Sequence, residues 1–159
     1  MNWRGYTDAK DKIFSTLVYL FAIVRFLPFG DFLLREFPPL RQLLYLLLSP
    51  VLWIYDSLPL SDFIVFLVLY FAVVRNPRIS DFIRFNTIQT ILIGILLYLL
   101  GLVFQFIFPG LGGGLLVETL SNTIFLGGLA VCFYSMVQSA LGQYAEIPTI
   151  SDAAYSQIR

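Results

Sequence analysis

Histidine is absent from this chain of 159 residues and cysteine occurs once, as Cys132. Zinc, haem and iron–sulfur ligation therefore lack their usual side chains, and neither a metal site nor a cofactor is expected. Nucleophilic catalysis lacks its usual base as well, since the only lysines are Lys10 and Lys12 near the N-terminus. The glycine-rich stretch Gly110–Gly114 is not followed by Lys-Ser or Lys-Thr, so it reads as a turn and not as a phosphate cradle. The chain is expected not to be an enzyme. Charge is scarce too: 13% of residues are charged, ten basic against ten acidic. Soluble domains carry roughly a quarter charged. The basic residues are scattered, so nucleic acid is not expected as a partner. One cysteine excludes an internal disulfide, and inside an apolar stretch it reads as a small buried hydrophobe.

What is abundant is apolar surface: AVILMFWYC residues make up 58% of the chain, more than one small aqueous core can hide. Lipid is the solvent that fits. The chain is read as a single polytopic membrane domain, residues 1–159, with apolar segments at 13–29, 40–58, 63–74, 87–108 and 120–141. A polar tail at 143–159 is too polar to span and too short to fold alone, and either stays disordered or docks on the inner face. Crossing a bilayer core takes about 20 helical residues; the second, fourth and fifth segments qualify, and the first and third are marginal. The N-terminal residues are followed by no small-residue cleavage site, and Asp8 and Asp11 do not suit a transit peptide, so the chain is expected to begin as it stands.

Tyr55–Asp62, with Pro59, reads as a tight hairpin turn; Pro77 ends one helix and Ser80 caps the next, with Asp81 at its N-terminus. Leu27-Pro-Phe-Gly-Asp-Phe32 and Leu58-Pro-Leu-Ser-Asp-Phe63 echo one another, each between two apolar segments. Arg75, Arg78 and Arg84 cluster in the third connection, whereas Asp56–Asp62 and Pro109–Ser121 carry no basic residue. Short basic loops stay on the cytoplasmic side. Four crossings with both termini inside satisfy this pattern if one of the first three segments crosses incompletely. Ile13–Phe29, which holds Arg25, is favoured as the partial or interfacial helix, and a flat Leu40–Leu58 is the competing choice. The expected fold is thus an all-α integral membrane protein: a four-helix transmembrane bundle with an additional partial or interfacial N-terminal helix.

Two small, polar stripes are candidates for helix packing or for lining a hydrated path. In the fourth segment Asn86, Thr90, Gly94, Leu97, Gly101 and Gln105 recur every three or four residues, with Gln89 in the same stretch; Arg84 is placed to pair with Asp81. In the fifth, Thr123, Gly127, Val131, Ser135 and Gln138 or Ser139 form a similar line. Close helix approach is the commoner use of such stripes. Trp3, Trp53, Tyr55 and Tyr144 are read as interfacial anchors. Asp31, Asp56, Asp62, Asp81 and Glu118 all fall near segment ends, which counts against proton-coupled transport.

Asp11-Lys-Ile-Phe14, Leu27-Pro-Phe-Gly30 and, above all, Val74-Arg-Asn-Pro-Arg-Ile-Ser-Asp-Phe-Ile-Arg-Phe-Asn-Thr-Ile-Gln89 resemble the twenty-kilodalton membrane subunit of the translocon at the inner envelope of chloroplasts. The order of apolar segments agrees over nearly the whole chain. The resemblance implies four helices, termini on the stromal or cytosolic side, and membership of a complex that moves precursor proteins across a membrane. It implies as partners other membrane subunits, a polypeptide substrate and further copies of the chain, besides the bilayer itself. No catalytic residues come with it; Arg75, Asn76, Arg78 and Arg84 carry over as an interface or helix-start motif. Without the plant proteins' targeting extension, the chain looks like a cyanobacterial or plastid-encoded member, set in a plasma, thylakoid or inner envelope membrane. An oligomeric channel for small solutes or ions and a structural scaffold are the alternatives.

Overall fold

Asp8 opens the first helix by accepting the Asp11 amide at 2.8 Å, and Asp11 accepts the Asp8 amide in return at 3.2 Å. Two otherwise orphaned donors are satisfied by this capping box. In the computed structural model, which describes residues 7–111 and 114–158, α1 (Ala9–Leu17) and α2 (Tyr19–Phe26) continue through a 3-10 turn at Leu27–Gly30 into α3 (Asp31–Glu36). Trp3, read above as an anchor, and Arg4 lie outside the described residues, as do Gly112 and Gly113 of the glycine-rich turn.

Pro38 starts α4 (Pro38–Ser57). Pro50 inside it has no N–H for the Leu46 carbonyl, and the Ser49 hydroxyl donates there instead, at 2.8 Å. Pro59 and the left-handed Leu60 (φ 53°) then stop the helix, and α5 (Ser61–Val68) leaves at 107° to it. The hairpin expected at Tyr55–Asp62 is therefore a right-angled break. α5 runs into a π-helical turn, Leu69–Val74, in which the Arg75 amide reaches Tyr70 O at 2.9 Å. Ser80 caps α6 (Asp81–Ile107), and after Pro109–Leu111 come α7 (Leu115–Ala140) and α8 (Ile150–Ile158). No strand occurs among the described residues. Both halves of the Leu-Pro echo mark helix breaks, with Asp31 and Asp62 in the first turn of the helix that follows.

Cross-contacts set the directions. α1–α2 runs parallel to α6: Asp11 meets Ser80, Tyr19 meets Asn86 and Gln89, Arg25 lies across Gly94 and Phe29 packs on Phe104. It runs antiparallel to α7, with Thr7 beside Gly142, Phe26 against Gly128 and Gly30 against Phe125. Tyr55, at the end of α4, reaches Phe21 and Arg25, while Val74 O accepts Arg84 Nε at 2.8 Å near the start of α6. α4 and α5 thus descend together beside the rising α6. The first rod rises, the broken pair descends, α6 rises and α7 descends, which leaves Thr7 and the C-terminal tail at one end.

Ala9–Glu36, α6 and α7 are each long and apolar enough to cross a membrane, and the bent pair makes a fourth if counted as one broken span. The N-terminal helix accompanies the spanning helices as expected, but its place is interior and not interfacial. Tyr19, Ala22 and Ile23 are wholly buried among α6 and α7. The second and third segments meet the length and hydropathy of a span only together, as the bent pair Pro38–Ser57 and Ser61–Val74. The main core gathers Tyr19, Ile23, Phe26, Leu48, Leu97, Phe125 and Cys132; a smaller one joins Val74, Phe85, Ile88 and Ala154 under the docked tail.

Candidate functional site

The polar residues of α6 divide by height. Near the termini end, Asn86 and Gln89 are fully buried and bonded: the Tyr19 hydroxyl lies 2.8 Å from Asn86 Oδ1 and 2.7 Å from Gln89 Oε1. Ser139 of α7 donates to Asn86 Oδ1 at 3.0 Å. Gln89 Nε2 donates to Ala145 O at 2.8 Å and lies 2.7 Å from Ser151 Oγ, which accepts the Ile147 amide. One network so ties the first helix, α6, α7 and the tail.

Higher up, the stripe opens onto a groove. Gly94, halfway along α6, has no side chain, and Arg25 from α2 lies over it; a Cβ there would stand 3.2 Å from Arg25 Cδ and Nε. Arg25 Nη2 pairs with Asp62 Oδ1 at 3.2 Å, and the guanidinium carbon stands 6.0 Å from the Tyr55 ring centre. The Arg25 side chain is 21% exposed and that of Asp62 69%. On the termini side of this pair is a cavity of about 400 Å³ walled by Phe21, Phe63, Phe66, Leu69, Ile91 and Tyr98, with Thr90 in its lining. The Thr90 hydroxyl is buried there without a hydrogen-bond partner among the described residues. On the other side a second cavity, about 570 Å³, reaches Gly101, Gln105 and Ser121. Arg25, Tyr55, Asp62, Gly94 and Tyr98 line both.

Of the stripe candidates, Thr90, Gly94, Gly101 and Gln105 are brought together on this groove, while Asn86 and Gln89 are spent on the network below it. α7 is rotated relative to the stripe read from its sequence. Ser135 is buried and donates to Val131 O, and Gln138 is half-buried, but Thr123 and Gly127 are exposed and nothing stands near a Cβ built on Gly127. The contact glycine is Gly128, whose place beside the Phe26 ring leaves no room for a Cβ. Steps of four residues advance about 40° past a full turn, so a line drawn from Ser135 back to Thr123 drifts about 120° around the helix.

The basic motif splits as well. Arg84 pairs with Asp81 at 2.7 Å and closes the π-turn through Val74 O; Asn76 Oδ1 accepts the Arg78 amide at 3.0 Å, while the Arg75 and Arg78 side chains are exposed. Tyr55 and Tyr144 differ from the anchor reading: Tyr55 faces Arg25, and Tyr144 packs on Phe82 and Phe85. Arg25 and Asp62 are the pair that segment-by-segment reading passes over. The available signal was a single arginine in an otherwise apolar run, which seeks a partner; the right-angled break that delivers Asp62 carries no such mark.

Residues 10–154 match the family described as chloroplast import apparatus Tic20-like. The chain belongs to the Tic20 family. A Tic20 family protein of Synechocystis is 55% identical over 96% of this chain and 95% of its own length. Protein TIC 20-v, chloroplastic, of Arabidopsis thaliana is 34% identical over 95% of this chain and 72% of its own. The Tic20 family protein Ycf60 of Gracilaria tenuistipitata is 35% identical over 93% and 75%. The three stretches that carried the resemblance prove to be joints of the Tic20 fold here: Ser80 Oγ donates to Asp11 Oδ1 at 2.7 Å, and Gly30 and Phe29 sit against Phe125 and Phe104.

Proposed function

We propose that this Tic20-family protein is a non-enzymatic membrane subunit of a protein-translocation or membrane-protein-assembly complex, with the end bearing its termini in the cytoplasm or stroma. Family membership supports the general role, and the balance of basic residues supports the orientation: Lys10, Lys12, Arg75, Arg78 and Arg84 gather at the termini end, against Arg35 and Arg41 at the other. The observation that carries the reading is the groove beside α6, where polar and small residues line a mid-height opening next to a broken helix. The bundle centre itself is filled by Tyr19, Ile23, Phe26 and Phe125, so a route for a polypeptide runs along the groove, completed by other subunits or a second copy. Depleting the protein and following precursor insertion and export tests this; unchanged localisation of every membrane and exported protein would remove it.

A further inference from the structure

The break between α4 and α5 stands where hydrocarbon cannot surround it. Asp62 meets Arg25, and Arg25 lies across the midpoint of α6, so Leu58, Pro59 and Leu60 sit at mid-height with their backbone outside any helix. They are exposed, Leu60 by 80%, and Asp56, Ser57 and Asp62 beside them are exposed too. Non-helical backbone and charge persist at membrane depth only when buried in protein or facing a water-filled cavity. The cavity lined by Gln105 and Ser121 extends from the ion pair toward the end opposite the termini and has room for that water.

Below the ion pair the lining changes to aromatic and aliphatic, with Thr90, 3% exposed, carrying a hydroxyl that finds no partner among the described residues, as does that of Tyr55 beside Arg25. A guanidinium offers five N–H donors, more than its 3.2 Å contact with Asp62 uses. Donor and acceptor at the rim and the Thr90 hydroxyl in the wall of an apolar hollow of about 400 Å³ complement a peptide group followed by a bulky apolar side chain. Broken helices at mid-membrane form binding sites of this kind in transporters.

We propose that the α4–α5 break is wetted from the end opposite the termini, and that its floor binds an extended polypeptide segment. Peptide groups engage Arg25, Asp62 and Thr90, and one large apolar side chain enters the cavity of Phe21, Phe63 and Phe66. The site rests on the polypeptide-handling reading above and gives it a place and a preference.

The full chain in lipid nanodiscs, with Ser57→Cys or Leu60→Cys, is treated with a charged maleimide; native Cys132 is fully buried. Leu96→Cys, on an exposed face of α6 at similar height, is the lipid-facing control. Thiolate forms in water and not in hydrocarbon, so labelling at the break is expected to be roughly tenfold or more faster than at Leu96. A short capped peptide with one central phenylalanine is expected to slow labelling of Phe66→Cys in the cavity, and a matched peptide with serine is not. Break positions as slow as Leu96 in monodisperse protein, or equal effects of both peptides, would overturn the proposal. Both measurements use purified protein, so their outcome is separable from that of the depletion experiment.

Discussion

At Gly128 of α7 a single hydrogen atom in place of a methyl lets the Phe26 ring lie on the helix backbone, whereas Gly127 beside it faces open space. Gly128→Ala is expected to lower stability by about 1–3 kcal/mol through overpacking. Gly127→Ala should stabilise the helix by up to about 1 kcal/mol. Thermal unfolding of the two variants in the same detergent separates them, and equal midpoints would contradict the rotation of α7 described here. Gln89 poses the complementary case, because its amide satisfies Tyr19, Ala145 and Ser151 at once. Gln89→Leu keeps the volume and abandons those partners, at a cost of about 1–3 kcal/mol for buried groups left unpaired. The unfolding midpoint should fall clearly below that of Gln105→Leu, whose side chain is exposed. Polar stripes were legible in the chain; which of their members are bonded and which line a groove depends on neighbours far away in sequence.

The tail is an element whose fate its own composition left open. α7 ends in a Schellman turn, with Gln143 N on Gln138 O and Gly142 N on Ser139 O, and Gly142 at φ 78° reverses the chain. α8 then packs on Phe85 and Ile88, with Tyr155 stacked 4.5 Å from the Phe85 ring centre. Truncation after Gln143 strips Gln89 of its two tail partners and bares this cluster. The truncated protein is expected to unfold at lower temperature in detergent and to aggregate sooner on size exclusion, while an unchanged profile would show that docking contributes nothing. The other element hidden from the sequence is the α4–α5 pair. Two apolar segments around Leu-Pro-Leu-Ser-Asp read as a hairpin because proline and capping residues signal a turn without giving its angle. Its angle follows from what the pair packs against, α4 on Phe21 and Arg25 and the π-turn after α5 on the lower half of α6.

For the whole molecule, three helices of spanning length and one bent pair, counted as a broken fourth, return the chain to the end from which it started. Reporters fused ahead of Thr7 and behind the tail should therefore report the same compartment, and one inserted beside Gly114 the opposite one. Reporters at the two termini that disagree would contradict the arrangement. Loop charge led to the same expectation by another route, with the first segment as the partial one; with that segment inside the bundle, Arg35 and Arg41 fall at the end opposite the termini, against the tendency of basic residues to resist translocation.

The sequence by itself determined the solvent and the helical class, and its loop charge set the expectation of an even number of crossings. Apolar excess, run length and loop charge are sums over many residues and do not depend on packing. Only the tertiary structure decided that the first segment lies inside the bundle, that the second and third share one broken pass, and that Arg25 meets Asp62 over Gly94. Those outcomes depend on which faces touch, and the contacts join residues dozens of positions apart that no local pattern couples.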